Sequence, residues 1–259
     1  MPEPQPKLVW LPFDPADLPA LPAGLAVEVF DASAALPPSA ADVQFYVPDY
    51  DFDPQVAEVI PQLPRLRVVQ SLTAGVEHLR PYVPESVTLC SARGVHDAST
   101  AELAMALVLA SLRGIPDFVR AQASDRWEHD TRPSLADKTV LILGYGSIGA
   151  AVGRRLAGFE CNVLRVARAA RDGVAPLESL PTLVAQADVV IVTLPLTDET
   201  RGMVDAGFLA AMRDGALLVN MARGPIVDTD ALLSEVGGGR LLAALDVTDP
   251  EPLPAKHPL

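Results

Sequence analysis

A glycine-rich segment places the strongest constraint on the fold of this 259-residue chain. Residues 144–149 read Gly-Tyr-Gly-Ser-Ile-Gly, directly after an apolar strand pattern over residues 139–143 and before a helical pattern over residues 150–158. A G-x-G-x-x-G segment between a strand and a helix is typical of a dinucleotide-binding unit. The other reading is a glycine-rich turn with no ligand.

Each part of this segment has a physical role in such a unit. Gly144 permits a tight turn, Gly146 lets the backbone approach a pyrophosphate, and Gly149 lets the helix pack closely on the strand. Ser147 and Ile148 begin the predicted helix, where free N–H groups and the positive end of the helix dipole favour an anion. The segment therefore predicts cofactor binding by these five residues.

The strand that follows, over residues 162–166, lacks the acidic residue that usually grips a ribose 2′-hydroxyl. Ala167 stands at that position, and Arg168 and Arg171 come after it. Arginine suits a 2′-phosphate because its guanidinium is a planar fork of donors. We expect NADP(H) to be preferred through Arg168, with NAD(H) as the other possibility. Arg154 and Arg155 are expected to lie on a solvated helix face.

Short apolar runs alternate with helical patterns along the whole chain, which predicts an α/β fold with doubly wound parallel sheets. The ten predicted strands span residues 7–11, 26–30, 43–47, 66–70, 87–90, 139–143, 162–166, 188–193, 216–220 and 241–245. Ser99 and Glu102 form a capping-box pattern that predicts a helix from Thr100 to about Arg113. Its apolar side chains Leu103, Leu107 and Leu109 are expected to pack against another domain or subunit.

Charge and cysteine content exclude several classes of partner. The net charge is −13, so a general surface for nucleic acid or for an anionic membrane is not expected. Two cysteines in separate strands are read as reduced thiols, which is consistent with a cytoplasmic protein. No histidine or cysteine cluster has the spacing of a metal site, and we expect none.

Four further segments, together with residues 144–149, resemble the D-isomer-specific 2-hydroxyacid dehydrogenase family, most closely its glyoxylate/hydroxypyruvate reductase branch. They read SLTAGVEH at residues 71–78, TLPLT at 193–197, NMARGPIVD at 220–228 and LDVTDPEPLP at 245–254. The resemblance covers nearly the whole chain. It implies a flavodoxin-like substrate domain over residues 1–96 and a Rossmann NAD(P)-binding domain over residues 97–259, with a small anionic 2-oxo or 2-hydroxy acid bound between them. It also implies a homodimer.

The resemblance assigns site residues one by one. Arg223 corresponds to the arginine that holds the substrate carboxylate and polarises its 2-oxo group, work that suits a permanently charged guanidinium. Glu251 corresponds to the carboxylate that orients a catalytic histidine and raises its pKa. The loop that contacts the substrate carboxylate corresponds to Ala74, Gly75 and Val76. Further cofactor contacts correspond to Thr100, Thr193, Pro195, Ala222 and Asp246.

One element of the family pattern has no counterpart before Leu259: the Pro-His pair whose histidine is the general acid. Two explanations stay open, that the natural chain continues past Leu259 or that it lacks this acid. The first favours NADPH-dependent reduction of a small 2-oxo acid to the D-2-hydroxy acid. The second favours a non-catalytic, corepressor-like module that senses a dinucleotide or binds a protein. A third possibility is oxidation of another small anion by the same fold.

Overall fold

The computed structural model describes residues 6–50 and 53–259. The chain divides into two compact units, Met1–Val95 and His96–Leu259. Each unit contains one sheet in which all neighbouring named strands are parallel. The α/β class with two parallel sheets, predicted from the alternation of apolar runs and helical patterns, is therefore confirmed.

The sheet of the first unit has the strand order β2-β1-β3-β4-β5. This is the flavodoxin-like order. The strands are β1 (Lys7–Leu11), β2 (Leu25–Val29), β3 (Val43–Tyr46), β4 (Val68–Gln70) and β5 (Thr88–Cys90), and a short helix, α1 (Pro54–Glu58), follows β3. On one face Trp10 stacks on Phe30 with ring centroids 3.9 Å apart, and Tyr46 meets both rings edge-on.

The opposite face of this sheet carries a second, smaller apolar cluster in which Val9, Leu11 and Val47 are buried. Val9, Leu11, Val27 and Phe45 line a depression of about 770 Å³ there. The described residues thus form an apolar cluster on each face of the sheet, the larger around Trp10 and the smaller around Val9, as expected for a parallel sheet.

The sheet of the second unit has six strands in the order β11-β10-β9-β6-β7-β8. Read from the other edge, this is the 3-2-1-4-5-6 order of a dinucleotide-binding sheet. The strands are β6 (Thr139–Leu143), β7 (Asn162–Ala167), β8 (Ala175–Pro176), β9 (Val189–Val192), β10 (Leu217–Asn220) and β11 (Leu242–Leu245). The helices are α2 (Asp97–Leu112), α3 (Ile115–Ala123), α4 (Ser147–Leu156), α5 (Leu180–Val184), α6 (Ala206–Ala211) and α7 (Thr229–Gly237).

Alternation along the strands divides the interior of this unit into two apolar cores. Leu141 and Leu143 of β6 face the core that α5, α6 and α7 cover. Val140 and Ile142 face the core that α2 and α4 cover. Because both faces are buried, the strands are apolar at nearly every position, as expected for a parallel sheet.

The start of α2 differs from the prediction. The helix begins at Asp97, and Ser99 lies within its first turn, where its hydroxyl donates to the His96 carbonyl at 3.2 Å. The capping-box prediction was wrong because Ser99 already lies inside the helix. Leu107 and Leu109 are partly buried against the core of their own unit, and Leu103 is 41% exposed, so their packing on another domain or subunit stays a prediction. Gly114, with φ +63°, separates α2 from α3.

Within residues 6–50 and 53–259, no single helix is long and apolar enough to cross a membrane. The helices α2 and α3 reach that length only together, and they are bent by 65° relative to each other. No group of three His, Cys, Asp or Glu side chains in the same residues is arranged to hold a metal ion.

Candidate functional site: the carboxyl edge of the second sheet

The glycine-rich segment forms a turn that leaves no room for side chains at two positions. Gly144 has φ +105°, and a Cβ there would lie 2.7 Å from the backbone carbonyl carbon of Thr193. A Cβ on Gly149 would lie 2.3 Å from the Gly144 oxygen. A Cβ on Gly146, by contrast, would meet nothing within 4 Å, so the space in front of this residue is open. The turn is therefore tight where it touches the protein and open at Gly146.

Hydrogen bonds hold this turn from two neighbouring strands. The N–H groups of Gly144 and Tyr145 both donate to the Val166 carbonyl at the end of β7, each at 2.9 Å. The Thr193 hydroxyl, just after β9, donates to the Gly144 carbonyl at 2.6 Å. Thr193, predicted as a cofactor contact, thus also supports the glycine turn.

The helix α4 begins at Ser147, directly after Gly146. No hydrogen bond among the described residues uses the backbone N–H groups of Ser147 or Ile148. The first N–H groups of a helix lack partners within it and carry the positive end of the helix dipole. This set of donors, beside the open space at Gly146, fits the pyrophosphate of a dinucleotide.

The arginines near this turn differ in their exposure and in the hydrogen bonds that their guanidinium groups make. Arg155 donates to the Ala98 carbonyl at 3.1 Å and so joins α4 to α2, which corrects the expectation that it only solvates the helix. Arg154 is exposed, as expected. Arg168 is also exposed, directly after β7. Arg171 donates to the Tyr145 carbonyl. Two of the four guanidinium groups therefore have fixed backbone partners.

Arg223 lies in a turn after β10 that a buried asparagine holds. Asn220 is 1% exposed, its Nδ2 donates to the Arg223 carbonyl at 3.0 Å, and its Oδ1 accepts from the Ala222 N–H at 3.0 Å. The Arg223 guanidinium donates to the Ala222 carbonyl at 2.7 Å. Asn220 was not among the predicted site residues, although a polar residue ending an apolar strand was a usable signal.

Asp246 and Glu251 come from the segment after β11. Asp246 donates its N–H to the Asn220 carbonyl at 3.0 Å, which aligns the two segments. Burial raises the pKa of the Asp246 carboxyl, the nearby Glu251 carboxylate raises it further, and Arg223 acts in the opposite direction. The structure thus brings Arg223, Asp246 and Glu251 into one electrostatic group.

This group depends on a close crossing of two backbone segments. A Cβ on Gly224 would lie 1.8 Å from the Thr248 carbonyl oxygen, so only glycine permits the approach. The Thr248 N–H in turn lies 3.4 Å from Glu251 Oε2. The crossing therefore sets how close the Arg223 turn and the Glu251 segment can come.

The remaining predicted cofactor contacts lie at several places in the second unit. Thr100 is half-buried in the first turn of α2, and Ala222 is buried beside Arg223. Pro195 is exposed, and its carbonyl accepts the Thr200 hydroxyl at 2.6 Å. Thr193, Arg168, Arg223 and Asp246 follow parallel strands and so share the carboxyl edge of the sheet, where such folds bind ligands.

Ala74, Gly75 and Val76 belong to the first unit, in the loop after β4. The Thr73 hydroxyl donates to the Gly75 carbonyl at 2.6 Å and shapes the loop. Among the described residues, no hydrogen bond uses the backbone N–H groups of these three residues. They are available donors of the type that binds a carboxylate.

The chain is similar to proteins of known family. Residues 105–259 match the family described as D-isomer specific 2-hydroxyacid dehydrogenase, NAD binding domain. A glyoxylate reductase of Thermofilum pendens is 34% identical over 220 residues, which are 78% of this chain and 64% of that protein. The Homo sapiens glyoxylate reductase/hydroxypyruvate reductase is 33% identical over 218 residues, 75% of this chain and 63% of that protein. The chain therefore spans slightly less than two thirds of either relative.

A solved structure extends the similarity to the fold. The D-isomer specific 2-hydroxyacid dehydrogenase of Xanthobacter autotrophicus Py2, in complex with NADPH and MES, is 31% identical with a TM-score of 0.82. The match covers 99% of this chain and 85% of that one.

Proposed function

Because the chain belongs to the D-isomer specific 2-hydroxyacid dehydrogenase family, we propose that it reduces a small 2-oxo acid to the D-2-hydroxy acid with NADPH. The proposed substrates are of the glyoxylate or hydroxypyruvate type. The observation that carries this proposal is the group formed by Arg223, Asp246 and Glu251, which follows strands of the same sheet that holds the glycine turn.

The glycine turn and the start of α4 would hold the dinucleotide, with the free N–H groups of Ser147 and Ile148 on its pyrophosphate. When bound, the reduced nicotinamide supplies a hydride. Asp246, predicted to contact the nicotinamide carboxamide, lies in the segment that Asn220 aligns with Arg223. The protein thus contributes orientation and charge, as is usual for cofactor enzymes.

Arg223 would bind the substrate carboxylate and stabilise the negative charge that develops on the 2-oxo oxygen. Its guanidinium has five N–H donors, and one of them bonds the Ala222 carbonyl. The free N–H groups of Ala74, Gly75 and Val76 are proposed as further carboxylate donors. The proton for the 2-oxo oxygen would come from the imidazole that the family pairs with this glutamate, for which the residues up to Leu259 contain no counterpart. Glu251 would keep the pKa of that imidazole high, since a neighbouring carboxylate favours the imidazolium.

The preference for NADP(H) over NAD(H) is part of the proposal. β7 ends in Ala167, so no carboxylate there would repel a 2′-phosphate, and Arg168 follows directly. The similar Xanthobacter structure contains NADPH, which supports this choice.

A homodimer in the cytoplasm is also proposed. Several apolar side chains of the second unit are exposed on α2, on α3 and beyond, and they suit a contact with a second copy. These are Leu103 at 41% exposed, Ile115 at 49%, Val119 at 58% and Trp127 at 93%. Sedimentation velocity tests the dimer, and a monomer at micromolar concentration would refute it.

Turnover of Arg223→Ala tests the proposed reaction. We expect the loss of NADPH absorbance with glyoxylate or hydroxypyruvate to slow by about 10²–10³ in kcat, as when one oxyanion donor is removed. The NADPH dissociation constant should stay within about twofold of wild type, because Arg223 is not proposed to hold the cofactor's phosphates. Arg154→Ala is the matched control, since that arginine is exposed on α4.

Two results would refute the proposed reduction or the assignment of its site. Wild-type protein that binds NADPH but consumes none of it with any 2-oxo acid would favour the dinucleotide-sensing alternative. Arg223→Ala with near wild-type turnover would remove the assignment of the site.

A further inference from the structure

Two arginine side chains lie over the ring of Tyr145, the residue between the first two glycines of the turn. The guanidinium carbon of Arg165 lies 5.6 Å from the ring centroid, and that of Arg171 lies 5.8 Å from it. Cation–π contacts are favourable within about 6 Å. Neither arginine has an ion-pair partner in the part of the chain that the structure describes. Two positively charged guanidinium groups therefore lie near one ring, and no carboxylate among the described residues forms an ion pair with either.

Both the backbone and the ring of Tyr145 are held by contacts. The backbone N–H of Tyr145 donates to the Val166 carbonyl, and the ring packs on the core that α2 and α4 cover. A Cβ on Gly153 of α4 would lie 2.9 Å from the Tyr145 hydroxyl, so the ring fills the space that this glycine leaves. Tyr145 is thus a rigid support for the guanidinium groups above it.

Arg171 is held at both ends. Its backbone pairs with Val174 in a two-way bridge, with N–H to carbonyl distances of 3.1 and 2.8 Å. Its guanidinium donates to the Tyr145 carbonyl and lies over the same ring. A guanidinium has five N–H donors, so most remain for a ligand. Holding a donor in place before binding reduces the entropy lost when the ligand arrives.

Arg168 is held less firmly. No hydrogen bond or ion pair fixes its guanidinium among the described residues, and the side chain is exposed. Its charge acts on Glu199, whose pKa is lowered mainly by a hydrogen bond with Thr197 and to a smaller extent by Arg168. A neighbouring carboxylate competes with a phosphate for the same guanidinium. Arg168 thus has to be ordered on binding, whereas Arg171 is ordered already.

The position of Arg171 suggests its ligand. Its backbone follows the end of β7, where the ribose of a bound dinucleotide lies, and its guanidinium reaches the turn that would face the pyrophosphate. We propose that Arg171, oriented by the Tyr145 ring and carbonyl, is the main residue that selects the ribose 2′-phosphate, ahead of Arg168. This inference rests on the proposed binding of NADP(H). Tyr145 is a positioning residue that acts through Arg171.

The test compares dissociation constants for NADPH and NADH by calorimetry in wild-type protein, in four variants of the proposed site and in one control variant. Arg171→Gln should weaken NADPH binding by about 10- to 100-fold, because hydrogen bonds to charged groups are strong, and leave NADH within about twofold. Arg168→Gln should weaken NADPH less than Arg171→Gln does. Tyr145→Leu should weaken the binding of NADPH more than that of NADH. Tyr145→Phe should keep the NADPH preference of wild type, because phenylalanine retains the ring. Arg154→Gln, exposed on α4, is the charge-matched control.

Equal weakening of NADPH and NADH by Arg171→Gln would overturn the inference, since Arg171 would then only shape the glycine turn. A larger effect of Arg168→Gln would also overturn it. If wild-type protein binds neither dinucleotide, the proposed function fails. Adenosine 2′,5′-bisphosphate, compared with adenosine 5′-monophosphate, then decides the role of Arg171 separately. Wild-type protein should bind the bisphosphate more tightly and Arg171→Gln should lose this difference, so no difference in wild type would refute the role.

Discussion

Replacing Gly224 with alanine tests whether the crossing of two backbone segments sets the geometry of the candidate site. The added Cβ would lie 1.8 Å from the Thr248 oxygen and 2.2 Å from its carbonyl carbon, whereas real Cβ contacts are at least 3.0 Å. The two segments must therefore separate by about 1.2 Å. Both contacts are with backbone atoms, so no side-chain rotation can relieve them.

This displacement moves the Arg223 turn away from the segment that carries Asp246 and Glu251. A misplacement of about 1 Å in a catalytic group can cost about 10²-fold in rate. We expect kcat for Gly224→Ala to fall by about that factor, and stability to fall by about 1–3 kcal/mol, as for other overpacked sites. NADPH affinity should change little, because the glycine turn at residues 144–149 follows a different strand.

The assay combines turnover, NADPH titration and urea unfolding for Gly224→Ala. Gly237→Ala is the matched control, because a Cβ there would meet nothing within 4 Å and Gly237 has no positive φ. Folded Gly224→Ala protein with kcat within about twofold of wild type would refute the argument. So would an equal loss of turnover in Gly237→Ala.

Three further outcomes are expected. Asn220→Ala should lower the free energy of unfolding by about 2–4 kcal/mol in urea, because the Ala222 N–H and the Arg223 carbonyl lose their partners, and a loss below about 1 kcal/mol would contradict this. Gly149→Ala should weaken NADPH and NADH equally, since its Cβ would lie 2.3 Å from the Gly144 oxygen; unchanged titrations would count against it. The raised pKa of Asp246 means that its protonated form favours folding below pH 3.8 and that this contribution disappears as pH rises through the raised pKa. Asp246→Asn should therefore raise Tm at neutral pH and leave it nearly unchanged at acid pH, and a neutral-pH Tm at or below that of wild type would exclude this cause.

Strands and turns were predicted well where the signal was local. All ten predicted strands occur, with bounds that differ by up to two residues at either end. The strand β8 was missed because it has two residues, one of them Pro176, and shows no alternation. The start of α2 was missed because a Ser-x-x-Glu pattern reads the same inside a first turn as before it.

The sequence by itself determined the class of fold, the tight glycine turn and the identity of the residues that follow each strand. These depend on side-chain period and on backbone sterics, which a few neighbouring residues specify. Only the tertiary structure decided which of these residues act together. The Gly224–Thr248 crossing and the contact of Arg171 with Tyr145 both join segments that lie more than 20 residues apart, and the raised pKa of Asp246 comes first from its burial in the folded chain. Such contacts depend on how the elements pack, and no local pattern encodes them.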